Sequence, residues 1–174
     1  MPSGYVWEQG WVTNAAGFKF HNWYGFGVID VDAAVTAAKN YSFPLGTYTE
    51  STWYSSGSVN KTIPDYSATG TTSTVNVPVN LKIEAVRIKL SVTHPDISQL
   101  AIELTSPSGT KSILVNAANS LMNQANFTGG EVFLSNAFFR ENSQGNWTLK
   151  VVDAVSGKTA GTLNNWSVSI SGAP

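Results

Sequence analysis

The 174-residue sequence predicts a mainly β protein, an antiparallel β-sandwich or jelly roll with one short helix near its N-terminus. Two observations lead there. Beyond about residue 60, apolar and polar side chains alternate with period two along several segments, and clusters of turn-forming residues separate those segments. The composition agrees: 42% of residues are hydrophobic and only 12% charged, against an ordinary charged share of about 25%, and neutral Ser, Thr, Asn and Gly make up the difference. A chain of this length buries about 68–70% of its unfolded surface, so a core needs no covalent staple.

Residues 1–45 combine a Gly/aromatic segment with the helix. Asp30 is its expected N-cap, and Val31, Ala34, Val35 and Ala38 recur at the i, i+3, i+4 and i+7 spacing of one helix face. Asn40 is its expected end, after which Pro44 and Gly46 break the pattern. Residues 46–60 are polar and poor in aliphatics, which predicts a linker, with Trp53 and Tyr54 as anchors within it. From residue 61 the strands begin. Val86, Ile88, Leu90 and Val92 alternate with Arg87, Lys89, Ser91 and Thr93. Leu100, Ile102 and Leu104 form a second apolar row, Trp147, Leu149 and Val151 a third, and Trp166, Val168 and Ile170 a fourth. Thr74–Pro78 reads as a further strand. Turns are expected at Ser106-Pro107-Ser108-Gly109, Gly129-Gly130, Ser156-Gly157 and Asn164-Asn165.

Several function classes are excluded or disfavoured. Ten basic and eleven acidic residues leave a net charge near −1 with no Lys/Arg cluster, so a nucleic-acid partner is not expected. No apolar run of membrane-spanning length occurs. Pro2-Ser3-Gly4-Tyr5 follows Met1 without a basic-then-apolar leader. The absence of cysteine removes disulfides, thiol nucleophiles and thiolate metal sites.

Two blocks of motifs resemble one family. Thr13-Asn14-Ala15-Ala16-Gly17 and His21-Asn22-Trp23-Tyr24-Gly25-Phe26-Gly27-Val28-Ile29-Asp30 resemble the end of a kexin/furin-type subtilisin catalytic domain. Ile63-Pro64-Asp65, Val86 to His94, Leu100 to Thr110, Gly145 to Asp153 and Gly161 to Trp166 resemble the P (Homo B) domain that follows it. The resemblance implies a catalytic-domain remnant over 1–45, a linker over 46–60 and a P-domain sandwich over 61–174. It also implies a secreted bacterial parent with serine endopeptidase activity, a subtilisin-like catalytic domain of the same parent chain as partner, and calcium as cofactor. One departure stands out: Ser98-Gln99-Leu100 occupies the place of the family's Gly-Asp-Leu, and Gln99 carries no charge.

Candidate chemistry is sparse. A subtilisin-type enzyme needs Asp, His and Ser in hydrogen-bond reach beside an oxyanion donor. The three local motifs that supply them in the family are missing, and Gly70-Thr71-Thr72-Ser73 leads into a strand instead of a helix. No catalytic residue is therefore assigned. His21 is expected to pack or to hydrogen-bond in a loop, and His94 stands near Asp96 without a nucleophile. Two isolated histidines do not make a zinc site. For calcium, Asp65, Asp96 and Asp153 are the candidates, since hard cations take carboxylate oxygens and all three fall at strand ends. Each reads first as a turn former or cap. Trp147 and Trp166 are in phase with Leu and Val and belong in the core. The expected role is a non-catalytic P domain that stabilises a protease body, with self-association through the N-terminal segment when that body is missing. The competing reading is a secreted β-sandwich module that binds polysaccharide, protein or a cell surface.

Overall fold

A computed structural model describes residues 1–41, 46–119, 121, 124–157 and 160–174. Pro44, the expected helix breaker, lies outside the described residues. The elements in chain order are β1 (Val12–Thr13), β2 (Lys19–Phe20), α1 (Val31–Lys39), β3 (Thr49–Glu50), β4 (Tyr54–Ser55), β5 (Lys61–Ile63), β6 (Thr71–Val77) and β7 (Lys82–Thr93). A 3-10 turn (Ile97–Gln99), β8 (Leu100–Thr105), β9 (Lys111–Val115), β10 (Phe127–Ser135), β11 (Gly145–Asp153) and β12 (Gly161–Ala173) follow. The protein is mainly β, and every strand pairing is antiparallel.

Two sheets face each other. One runs β10-β7-β12, with β3, β4 and β5 along the far edge of β12; the other runs β6-β11-β8-β9. The alternation seen in sequence decides which side faces in. Val86, Ile88, Leu90 and Val92 of β7 meet Leu100, Ile102 and Leu104 of β8, Trp147, Leu149 and Val151 of β11, and Trp166, Val168 and Ile170 of β12 in one buried cluster. Full burial of a side chain such as Leu or Ile contributes about 1.5–3 kcal/mol. Strand propensity spans only about 1 kcal/mol, so burial sets the register. Both core tryptophans also satisfy their indole N–H: Trp147 donates to Ser143 O at 2.9 Å and Trp166 to Ser73 Oγ at 3.0 Å. Ser73 is thus a strand residue supporting the core.

Three expectations about local structure need correction. Gly129-Gly130 is not a turn but lies inside β10, where the pairing with β7 shifts register between Thr128 and Val132. Asn164-Asn165 likewise lies inside β12, at a register shift between Leu163 and Asn165. Both are β-bulges, which use turn-type residues to bend a long strand without ending it. The stretch read as a linker contains β3 and β4, paired to Ser171/Gly172 and Ser167/Val168 of β12. Main-chain pairing is indifferent to side-chain polarity, and β12 is long enough to need partners on both edges. By contrast, Ser106-Pro107-Ser108-Gly109 makes the β8–β9 hairpin as expected: Gly109 has φ +89° and its N–H donates to Ser106 O at 3.0 Å.

The helix forms where predicted, but its apolar face is uncovered. Asp30 accepts a hydrogen bond from Ala33 N at 2.9 Å, Asn40 caps the other end, and no residue of α1 is buried.

Candidate functional site: the clasp between the N-terminal segment and the sandwich

The segment before the helix is not loose. β1 and β2 form a small hairpin in which Asn14 N donates to Phe18 O at 2.9 Å and Gly17 N to Asn14 O at 2.9 Å. The buried Asn14 side chain works in two directions. Its Oδ1 accepts from Ala16 N at 3.0 Å and Phe18 N at 2.9 Å, closing the hairpin turn. Its Nδ2 donates to Ala137 O at 3.0 Å and Phe139 O at 2.9 Å, tying that turn to the sandwich. All four hydrogen-bonding positions of one amide are used, as burial requires.

Beside it, Ala15 N donates to Glu141 Oε1 at 2.9 Å and to Thr110 Oγ1 at 3.2 Å, and the Thr110 hydroxyl also donates to Glu141 Oε1. Glu141 is itself anchored, since Ile83 N donates to its carbonyl at 3.0 Å. A carboxylate from the β10–β11 connection and a hydroxyl from the β8–β9 hairpin therefore converge on one backbone N–H of the segment. Aromatic contacts extend the clasp. Phe139 receives Phe18 and Phe26 edge-on, at centroid distances of 5.1 and 5.5 Å. At the other end, Tyr5 OH accepts from Ala117 N at 3.2 Å, and burial pushes the Tyr5 phenol above its ordinary pKa.

His21 sits within this segment. Its backbone bridges to Gly25, its Nδ1 accepts from Trp23 N at 3.1 Å, and its ring lies against Trp11 and Tyr24. Beyond His21, apart from Phe26 on Phe139, the segment presents a run of exposed apolar side chains. Val28 is 100% exposed, Ile29 81%, Trp23 and Tyr24 68%, Val31 65%.

The three aspartates do not meet. Asp153, fully buried, accepts at Oδ2 from His94 Nε2 at 3.0 Å and at Oδ1 from Val155 N at 3.2 Å. Asp96 caps the 3-10 turn, its Oδ1 accepting from Ser98 N at 3.0 Å and Ser98 Oγ at 2.7 Å. Asp65 lies at the surface, where Gly157 N approaches its Oδ2 at 3.5 Å. Among the described residues no group of three His, Asp or Glu side chains is placed to hold a metal ion. Asp65, Asp96 and Asp153 are therefore not brought together as one ligand set; Asp96 acts as a cap and Asp153 as the buried hydrogen-bond partner of His94. The carboxylate facing His94 is Asp153, 59 residues away, and not its sequence neighbour Asp96, whose backbone meets Nδ1 instead. Sequence reasoning missed Asn14, Thr110 and Glu141. Asn14 stood inside a motif already singled out, but nothing local marks which loop it would reach.

A two-sheet antiparallel sandwich gripping an N-terminal arm at one end defines a β-sandwich accessory domain. The particular kind follows from comparison with known proteins. The model of the proprotein convertase P-domain family matches residues 83–170, and the chain belongs to that family. It is 37% identical over 171 residues to the extracellular serine protease of Aeromonas sobria, covering 90% of this chain and 27% of that protein. It is 35% identical over 181 residues to proprotein convertase subtilisin/kexin type 5 of Rattus norvegicus, covering 98% of this chain and 10% of that protein. The crystal structure of the Aeromonas sobria serine protease in complex with its chaperone superposes with a TM-score of 0.84 at 33% identity, over 96% of this chain and 34% of that one. The chain thus spans about a third or less of each of these relatives. They are serine proteases and convertases, and the match falls on their P-domain region. No helix among the described residues is long and apolar enough to cross a membrane.

Proposed function

We propose that this chain is the non-catalytic P-domain portion of an exported subtilisin-like serine endopeptidase, and that it stabilises the protease body by holding that body's terminal segment. The carrying observation is the contrast along one segment. Residues around Asn14 are clasped to the sandwich by buried hydrogen bonds, whereas Trp23, Tyr24, Val28, Ile29 and Val31 face outward. Exposed apolar surface of that extent is unfavourable in water, and marks an interaction face. The segment resembles the end of a catalytic domain, and a protease body seated on that face would bury it. The clasp then transmits the sandwich's stability to the body, because opening one end requires breaking the other. Without the body, the same surface favours self-association of the chain.

The test is a chimera in which this chain replaces the matching part of the Aeromonas sobria protease. The expected product is folded and proteolytically active, and Asn14→Asp or Ile29→Asp shortens its half-life on heating. A body equally stable and active with the domain deleted refutes the proposal. So does stoichiometric labelling of the 174-residue chain alone by a serine-directed phosphonate.

A further inference from the structure

The polar strap of residues 46–60, along the far edge of β12, is gripped unevenly. Val168 and Ile170 of β12 face the core, so Ser169 and Ser171 face outward, yet they are only 0% and 2% exposed. Residues 47–53 and Arg87 cover them. Ser51 N donates to Ile170 O at 2.8 Å, Ile170 N to Ser51 Oγ at 2.9 Å and Ser169 Oγ to Ser51 O at 3.1 Å, while Glu50 stands opposite Ser171. The Trp53 side chain then crosses β12 to reach β7, where Lys89 Nζ is 4.5 Å and the Arg87 guanidinium carbon 5.8 Å from its ring centroid. Arg87 Nη2 donates to Glu50 Oε2 at 2.9 Å, and Tyr48 OH donates to Glu50 Oε1 at 3.0 Å.

These are hydrogen bonds and surface charge contacts, not core packing. No residue of 46–53 is buried, and the seat beneath is serine, so lifting this stretch uncovers little apolar area. The next residue differs: Tyr54 packs against the core, as Val59 does further on. The closed arrangement also carries a flaw. Arg87 Nε is buried with no hydrogen-bond partner among the described residues, which disfavours closure, and lifting the stretch lets water reach it. A polar grip, a wettable seat and an unsatisfied donor together describe a segment that opens locally while the core stays folded.

We propose that residues 47–53 are a latch on the outer face of the larger sheet. The latch opens and closes as a unit, hinged at Tyr54 and caught by Glu50 and Trp53 on Arg87 and Lys89. Its consequence is the length of a tether. No residue of α1 is buried, and the helix is joined to the sandwich through this stretch. With the latch closed, the first residue after α1 paired to β12 is Thr49; with it open, the first is Tyr54. The connection gains five residues, about 17 Å of extended chain. A protease body seated on α1 gains that reach. Only this last step rests on the reading of the chain as part of a protease, and the motion of the latch is measured without a body.

The test is native-state hydrogen exchange of the isotope-labelled 174-residue chain, read by NMR. Three strap amides donate to the same strand: Ser51 to Ile170 O at 2.8 Å, Ser56 to Trp166 O at 2.9 Å and Val59 to Asn164 O at 2.7 Å. Ser51 should be protected at least tenfold less than Ser56 and Val59, and urea below the unfolding transition should leave its rate unchanged, as for a local opening. Glu50→Gln should speed Ser51 exchange roughly threefold and Trp53→Ala roughly fivefold, the sizes expected for an exposed ion pair and for a cation–π contact. Neither should move Val59. The converse variant closes the latch covalently. The chain has no cysteine, so Glu50→Cys with Ser171→Cys, opposite each other in the ladder, gives one disulfide. Its oxidised form should slow Ser51 at least tenfold, and reduction should restore the rate. The inference is overturned if Ser51, Ser56 and Val59 share one protection factor and one urea dependence, since the strap then opens only with the sandwich. It is equally overturned if Glu50→Gln and Trp53→Ala both leave Ser51 at its wild-type rate.

Discussion

Changing Asn14 to Asp separates the two jobs that one amide performs. The substitution keeps the acceptor that closes the hairpin turn on Ala16 N and Phe18 N, and it removes the donor that reaches Ala137 O and Phe139 O. Each lost hydrogen bond is worth about 1 kcal/mol net, and leaving buried carbonyls facing a carboxylate adds to that cost. A local penalty of at least about 2 kcal/mol follows, which raises the population of the undocked segment roughly thirtyfold. Hydrogen exchange followed by mass spectrometry reads this directly. Amides of residues 12–25 should exchange faster by about that factor, while those of β7 and β12 keep wild-type rates. Asn14→Ala removes the turn acceptor as well and should accelerate the hairpin further. If residues 12–25 exchange at wild-type rates in Asn14→Asp, or if β7 and β12 accelerate equally, the segment is not held by a separable clasp and the reasoning fails.

Other outcomes are specific enough to check. Trp147→Ala should lower unfolding free energy by about 3–5 kcal/mol in a denaturant titration, because it empties a fully buried site against Phe138 and orphans Ser143 O. Hydrogen bonds from Arg87 and then Tyr48 hold the Glu50 carboxyl below its ordinary pKa. The stabilisation this brings is complete above the ordinary carboxylate pKa and is lost as pH falls through the lowered value. In Arg87→Gln, an NMR titration should show the Glu50 midpoint moving upward. Burial keeps the Tyr5 phenol protonated beyond its ordinary range, so its contribution holds below the ordinary phenol pKa and disappears as pH rises through the raised one. Segment 1–26 should therefore loosen in alkali, and Tyr5→Phe should flatten that pH dependence of its exchange. Replacing Val28 and Ile29 by Ser should leave the melting temperature unchanged but reduce binding of a hydrophobic dye, since both side chains are already in water.

The sequence by itself determined the sandwich, because the period-two rows of β7, β8, β11 and β12 specify one dry face per strand and burial rewards only that register. It also determined the helix and its Asp30 cap, and the β8–β9 hairpin, since caps and tight turns are written within a few neighbouring residues. Tertiary structure decided the rest. Gly129-Gly130 and Asn164-Asn165 have turn chemistry, and only a long partner strand makes them bulges. The polar stretch 46–60 becomes a sheet edge because β12 offers it backbone partners, a pairing that leaves no mark in side-chain pattern. The same holds for the long-range polar contacts. Asn14 meets Phe139 across 125 positions and His94 meets Asp153 across 59. Such pairs are single polar contacts without periodicity, so only the folded chain, by bringing distant loops to one end of the sandwich, reveals which groups they join.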